Sequence, residues 1–290
     1  MYDIIIIGAG PAGISAAIYA KRAGTNVLVL DNDNSELIKA HKIDNYYGFP
    51  EGISGSTLYD NGIQQAKNLE IDLKKEAVLN IKMNENMCYD VKTSDNIYTS
   101  DSVIFATGTK KAKPLIKGLN EFEGKGISYC AICDGFFYRK KDVVIIGDGD
   151  YALSEASDLV NIVNSITILT NGKEPGFENC NYKVDKRPIT SINGDMKVEE
   201  IEFSDGSTLK TDGIFIAIGS AGASDFAKKM GIMTNNDNIK VNEHMETNIK
   251  GVYACGNITG GLLQVNKAVY EGAVAGLSAA NYIKAKRKGA

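Results

Sequence analysis

The sequence predicts an α/β protein built from two separate nucleotide-binding units, on three observations. Apolar runs at Tyr2–Ile7 and Asp142–Ile146 each end in a glycine turn; each turn opens a helix-like stretch; and each helix leads to a further apolar run. A length of 290 residues with 43% apolar content suffices for two ordinary cores.

In the first unit the run ends in Gly8-Ala9-Gly10-Pro11-Ala12-Gly13, and a helix is expected over Ile14 to Arg22. Gly8 permits the tight turn, Gly10 lets the backbone approach a pyrophosphate, and Gly13 allows close helix–strand packing. The helix N-terminus then faces the phosphates. The next run, Val27 to Leu30, ends in Asp31, placing a carboxylate about where such a unit presents one to a ribose hydroxyl. Together these make a complete dinucleotide fingerprint.

The second unit repeats the pattern at Gly147-Asp148-Gly149-Asp150-Tyr151-Ala152, with a helix over Leu153 to Val160 and a strand over Ser165 to Leu169. Strands that end in small-residue turns are expected at Val103 to Gly108, containing Ala106, Thr107 and Gly108, and at Ile214 to Gly219. Lys110 to Lys117 has the composition of a linker. Gly251 to Asn257 and a Gly/Ala-rich helix over Ala268 to Tyr282 have no counterpart in the second unit, so the chain is expected to return to the first domain. The expected architecture is two Rossmann-like three-layer domains, one of them discontinuous.

A net charge of −4 gives no general attraction to nucleic acid. The N-terminal residues lack the basic flank and apolar core of a signal peptide, and no apolar run reaches bilayer length, so a cytosolic location without membrane contact is expected. Five cysteines with one close pair argue against a disulfide scaffold.

That pair, Cys130-Ala131-Ile132-Cys133, precedes Asp134. The spacing brings two sulfurs within bonding reach across one helical turn, and a following helix N-terminus lowers a thiol's pKa, so the pair can switch between dithiol and disulfide. Zinc needs two further ligands, whereas Cys88, Cys180, Cys255, His41 and His244 are isolated. A purely structural disulfide is the plainer alternative, disfavoured by a cytosolic location and by the adjacent Asp134. The isolated cysteines are expected to pack, Tyr46 and Tyr47 to fill an interface, and no hydrolase nucleophile pattern surrounds the histidines.

Over essentially its whole length the chain resembles the low-molecular-weight thioredoxin reductases. Gly8 to Gly13, Asp44-Asn45-Tyr46-Tyr47-Gly48-Phe49, Ala106-Thr107-Gly108, Cys130 to Gly135 and Gly251 to Asn257 fall in that family's order. The resemblance implies FAD as cofactor, a homodimer, and thioredoxin as the disulfide substrate. It implies an FAD domain formed by residues 1–112 and 241–290, and a central domain over 113–240 that carries the cysteines and rotates between two positions. Cys133 would lie nearer the flavin, Cys130 would attack thioredoxin, and Asp134 would carry the proton. Besides the glycine turn, Asn45, Gly256, Asn257, Gln264 and Val265 fall in FAD-binding positions, with Asn257 standing where the family usually has Asp.

The departures concern the second glycine turn. NADPH-using relatives carry an arginine cluster after the next strand, but here Thr170 to Gly176 contains no arginine, and no acid near Thr170 suits an NAD ribose. Asp148 stands where relatives have Gly, and Tyr151 where they have Ser or Thr. This degenerate pattern resembles the ferredoxin-dependent flavin thioredoxin reductases, which makes reduced ferredoxin the expected donor. The competing expectations are an NAD(P)H-dependent reductase and a flavin-bound redox sensor without turnover. Lys110-Lys111-Lys113-Lys117, Arg139-Lys140-Lys141 and Lys284-Lys286-Arg287-Lys288 are candidate patches for an acidic ferredoxin.

Overall fold

The computed structural model describes residues 1–32, 35–108, 114–178, 180–219, 223–235 and 238–289. The chain divides into two compact units, Met1–Lys110 with Gly222–Ala290, and Lys111–Ala221.

The first unit starts as its apolar pattern demands. Strand β1 (Tyr2–Ile7) leads through the glycine turn to helix α1 (Pro11–Arg22) and strand β2 (Val27–Asp31). Helix α2 (Gly55–Asn68) precedes strands β3 (Asp72–Lys75), β4 (Val78–Met83), β5 (Tyr89–Thr93) and β6 (Ile97–Phe105). These pair in the order β3-β2-β1-β6-β5-β4. The pairs on the β3 side, up to β1–β6, are parallel, and β4, β5 and β6 form an antiparallel meander. Ile4, Ile5 and Ile6 of the central β1 are fully buried, each side chain contributing about 1.5–3 kcal/mol over an exposed one.

The second unit holds β7 (Ile127–Ser128), the short helix α3 (Ala131–Asp134), β8 (Asp142–Ile146), α4 (Asp150–Leu159), β9 (Ser165–Leu169) and β10 (Lys183–Asp185). A separate antiparallel sheet follows, β11 (Ile189–Asn193), β12 (Glu200–Phe203) and β13 (Thr208–Lys210), and then β14 (Gly213–Ile216). The main sheet is parallel in the order β10-β9-β8-β14-β7.

The chain then rejoins the first unit through helix α5 (Ala223–Met230) and the hairpin β15 (Thr234–Asn235) and β16 (Asn238–Ile239). Strand β17 (Val252–Ala254) pairs in parallel with the C-terminal end of β6, and helix α6 (Val265–Arg287) ends the fold. Helix α6 packs against α1 closely enough that a Cβ on Gly272 would lie 2.1 Å from the Ala12 carbonyl oxygen.

Two expected boundaries differ from these units. Residues 222–240, expected in the central domain, group with the first unit, because Phe226 stacks on Phe105 of β6 and β16 packs against the turn at Gly256–Thr259. The expected linker over Lys110 to Lys117 also stops short. Ile116 is buried in the second core, and the Lys117 carbonyl accepts the Ile192 N–H at 2.9 Å. Lys110, Lys111 and Lys113 lie outside the described residues.

Candidate functional site

The first unit gathers the expected nucleotide-binding residues at the C-terminal ends of β1 and β6. Gly8 has φ +106°, and a Cβ there would sit 2.4 Å from the Ala106 carbonyl oxygen, so the glycine turn and Ala106-Thr107-Gly108 abut. A Cβ on Gly13 would lie 1.8 Å from the Gly8 carbonyl oxygen, which fixes how closely α1 returns over β1. Gly10 is open by contrast, with Ser35 Oγ the nearest atom at 3.7 Å. Pro11 occupies the first turn of α1, no side chain caps that helix, and no acid lies in its first turn. Its N–H groups are thus available to an anion.

Chain segments distant in sequence converge on this turn. A Cβ on Gly256 would meet the Ala12 Cβ at 2.8 Å, which puts Gly256 and Asn257 beside the start of α1. Asn45 donates to Gln264 Oε1 at 2.9 Å, and Gln264 and Val265 open the uncapped N-terminus of α6. Asp31 is placed differently from a free strand-end acid. It is buried and accepts the Tyr59 hydroxyl at 2.6 Å.

A polar cluster that sequence reasoning missed holds the Gly256 turn. Glu271 Oε2 accepts the Gly256 N–H at 2.8 Å, the Thr259 hydroxyl at 2.8 Å and the Lys267 ammonium at 2.9 Å. Lys267 also donates to the Gly256 carbonyl at 2.9 Å. The signal was present, since Glu271 is an acid on the face of α6 formed by Ala268, Gly272, Ala275 and Ala279. Burial, reinforced by Glu271, pushes the neighbouring Cys255 thiol far above the ordinary range, so this cysteine is a packing residue.

The second unit carries the sulfurs. Cys130 and Cys133 form a disulfide with Cα atoms 5.3 Å apart. Cys130 is buried at the start of α3 and its Sγ accepts the Cys133 N–H at 3.1 Å, whereas Cys133 is exposed. Ser128 Oγ accepts the Cys130 N–H at 3.1 Å and its hydroxyl lies 2.6 Å from Asp134 Oδ2, tying the expected proton carrier to the motif. Burial and the Asp134 charge raise the Tyr138 hydroxyl above its usual value. Ser128 is a further residue without a sequence signal, because a lone serine before the motif resembles any strand residue.

The second glycine turn keeps its backbone tightness, since a Cβ on Gly147 would lie 2.2 Å from the Ala217 carbonyl oxygen. The loop after β9 folds back onto this turn, while Gly149 at the start of α4 stays open. Lys173 pairs with Asp148 at 2.8 Å, and the Gly176 N–H donates to the Asp148 carbonyl at 2.7 Å, folding the loop after β9 back onto the turn.

Comparison with known proteins identifies the family. The pyridine nucleotide-disulphide oxidoreductase family model matches residues 2–272. Thioredoxin reductase of Aquifex aeolicus is 33% identical over 99% of this chain and 95% of its own length. Among solved structures, the atypical thioredoxin reductase of Desulfovibrio vulgaris Hildenborough superposes with a TM-score of 0.93 at 36% identity, over 98% of both chains. A ferredoxin-flavin thioredoxin reductase from Clostridium acetobutylicum gives a TM-score of 0.73 at 34% identity, over 99% of this chain and 98% of the other. The open glycine turn, the uncapped ends of α1 and α6, and the Gly256–Asn257 turn suit the FAD of these flavoproteins. The chain belongs to the pyridine nucleotide-disulphide oxidoreductase family and is an FAD-dependent disulfide oxidoreductase of the thioredoxin reductase type.

Proposed function

We propose that this protein reduces the disulfide of thioredoxin with electrons taken from reduced ferredoxin, through the Cys130–Cys133 pair. The observation that carries the choice of donor is the acidic second glycine turn, with Asp148 paired to Lys173 and the following loop folded back onto it. A dinucleotide phosphate approaching that turn meets the Asp148 carboxylate, and the nearest cation, Lys173, is already bound to it. A 2′-phosphate would find no arginine between Thr170 and Gly176. These features speak against pyridine nucleotide and support a protein donor.

Gly8, Gly10, Pro11, Ala12, Gly13, Asn45, Ala106, Thr107, Gly108, Gly256, Asn257, Gln264 and Val265 would hold FAD in the first unit. Asp31 joins this set if it serves the ribose while accepting Tyr59. FAD held there would supply the two electrons that reduce the disulfide. The chain's own part is to present sulfur and proton. Cys133 is the accessible sulfur, which suits the member of the pair that receives electrons. Cys130 must come out of burial to attack a substrate disulfide, a requirement that fits a central unit working in two positions. Asp134, held by Ser128, stands ready to take and return the thiol proton.

For the acidic donor, Arg139 and Lys140 are the best-placed cations, both exposed and directly following the motif turn. In the C-terminal cluster, Lys286 and Arg287 are already paired with Asp101 and Asp3, both at 2.6 Å. The active form is a homodimer in the cytosol, and sedimentation of the holoprotein tests the dimer.

The deciding experiment is anaerobic mixing of oxidised holoprotein with excess reduced ferredoxin, NADPH or NADH while flavin absorbance is followed. Rapid bleaching by ferredoxin alone, with thioredoxin then reduced catalytically, is the expected result. Rapid bleaching by NADPH would overturn it. Bleaching by ferredoxin without thioredoxin turnover would make the protein a sensor.

A further inference from the structure

We propose that Glu155 is a positioning residue for the dithiol: its buried carboxylate anchors the Cys-x-x-Cys turn and disfavours the Cys130 thiolate, keeping the pair strongly reducing. The inference rests on the pair being redox-active, as proposed above.

Glu155 lies in α4, 24 residues from the motif in sequence, and is 1% exposed. Its Oε2 accepts the Ala131 N–H at 2.8 Å. That N–H belongs to the peptide bond leaving Cys130, so the carboxylate oxygen stands within about 5 Å of the Cys130 Cα by standard backbone lengths. One turn further along α4, Leu159 packs against the other end of the motif, where a Cβ on Gly135 would lie 2.7 Å from Leu159 Cδ2. One face of α4 therefore seats the whole turn. An acid on such a face, among Ala152, Ala156 and Leu159, has no packing advantage over Gln or Leu.

Two N–H groups at the start of α3 are directed differently. The Cys133 N–H points at Cys130 Sγ and favours the thiolate, as at the start of many reactive-cysteine helices. The Ala131 N–H is taken by Glu155, which withholds a second donor from the sulfur's surroundings, and an ionised carboxylate held about 5 Å from the Cys130 Cα would disfavour a neighbouring thiolate. The exchange with a reference dithiol converts the protein disulfide to a dithiol while reduced dithiothreitol becomes its cyclic disulfide, with two electrons and two protons transferred. Stabilising the Cys130 thiolate would make the reduced state of the protein more favourable and the pair more oxidising. Glu155 acts in the opposite sense, which suits a pair that must pass electrons on.

The test is the dithiol–disulfide equilibrium of FAD-loaded protein in anaerobic dithiothreitol redox buffers at a fixed pH of about 9.5, above the ordinary thiol pKa of about 8.5 so that thiolate stabilisation registers in the equilibrium, with thiols counted by alkylation and mass. Glu155→Gln keeps the shape and the acceptor for Ala131 but removes the charge. It should shift the equilibrium about tenfold toward dithiol, equivalent to about 30 mV, and speed iodoacetamide alkylation of reduced Cys130 several-fold. An unmoved equilibrium in a folded, flavin-replete Gln variant overturns the proposal. Glu155→Asp draws the charge back by one methylene and should shift the same equilibrium about twofold. Should the Gln variant fail to fold, an unmoved Asp variant overturns the proposal by itself, and an Asp shift as large as tenfold would assign the effect to displaced backbone and overturn it too. If the unmodified pair fails to equilibrate with dithiothreitol at all, the redox reading itself falls, an outcome distinct from a pair that titrates alike in every variant.

Discussion

The two glycine turns of this protein share a backbone and differ in chemistry. Gly8 and Gly147 both sit where a Cβ would strike a carbonyl oxygen of the neighbouring strand's end, Ala106 in one unit and Ala217 in the other, at 2.4 and 2.2 Å. The tight strand-to-helix bend is thus required twice for packing alone. Beyond it the turns diverge. The first has no acid in the opening turn of its helix, whereas the second has Asp150 there and Asp148 before it, with Lys173 neutralising Asp148. A glycine turn is therefore evidence of a bend, and the charges around it decide whether a phosphate is welcome.

The largest effect that sharpens this contrast comes from filling the first turn. Gly13→Val places side-chain atoms against the Gly8 carbonyl oxygen, from which even a Cβ would be 1.8 Å away. The cost is about 3 kcal/mol or more. The variant should be purified without flavin, by absorbance at the flavin band, or fail to fold, and thioredoxin reduction should vanish. Gly149→Ala in the second turn should leave flavin content and turnover unchanged, since only the Gly219 carbonyl oxygen, at 4.0 Å, is near its Cβ position. Flavin loss in Gly149→Ala would break the comparison.

The Gly256 turn supplies the next effect in size. Lys267→Met leaves Glu271 with its N–H and hydroxyl donors but without the ammonium. Both side chains are mostly buried, 16% and 12% exposed, so the loss should be about 2 kcal/mol. Denaturant titration should record it, and FAD dissociation should be about tenfold easier.

Arg139→Glu with Lys140→Glu should slow ferredoxin-driven flavin reduction about tenfold at low salt, with the difference shrinking as salt rises. Thioredoxin reduction from chemically reduced enzyme distinguishes the two partners. If that half-reaction slows instead, the patch faces thioredoxin.

Much of this was legible from residues alone because apolar runs and glycine turns are local signals. β1, β2, β8 and β9 occupy the expected places, and the helix expected over Ile14 to Arg22 starts slightly earlier, at Pro11. Strands β4 and β5 and the sheet β11–β12–β13 were missed, and of β6 only the end from Val103 was expected, since a short, largely exposed strand such as Thr208–Lys210 carries little alternation. The return at α5 escaped notice because it depends on a tertiary contact, Phe226 on Phe105, with no sequence mark. Site residues that act through backbone atoms were the hardest. Glu155 and Glu271 each accept a backbone N–H from a turn remote in sequence, and a motif scan records only the turn.

The smallest expected effect is also the most direct probe of the acidic turn. Asp148→Gly restores the glycine usual in relatives and frees Lys173, which is 61% exposed. A surface pair of this kind contributes about 0–1 kcal/mol, so the melting temperature should move by no more than a few degrees. The backbone bond from the Gly176 N–H to the residue 148 carbonyl does not depend on the side chain and should keep the loop folded back. Without an arginine on the following loop to grip a ribose phosphate, removing one carboxylate supplies no new binding energy. Stopped-flow mixing with NADPH should therefore bleach the flavin of Asp148→Gly as slowly as that of the unmodified protein. If bleaching accelerates a hundredfold, a nucleotide site persists beneath the ion pair, and the difference between the two turns reduces to a single side chain.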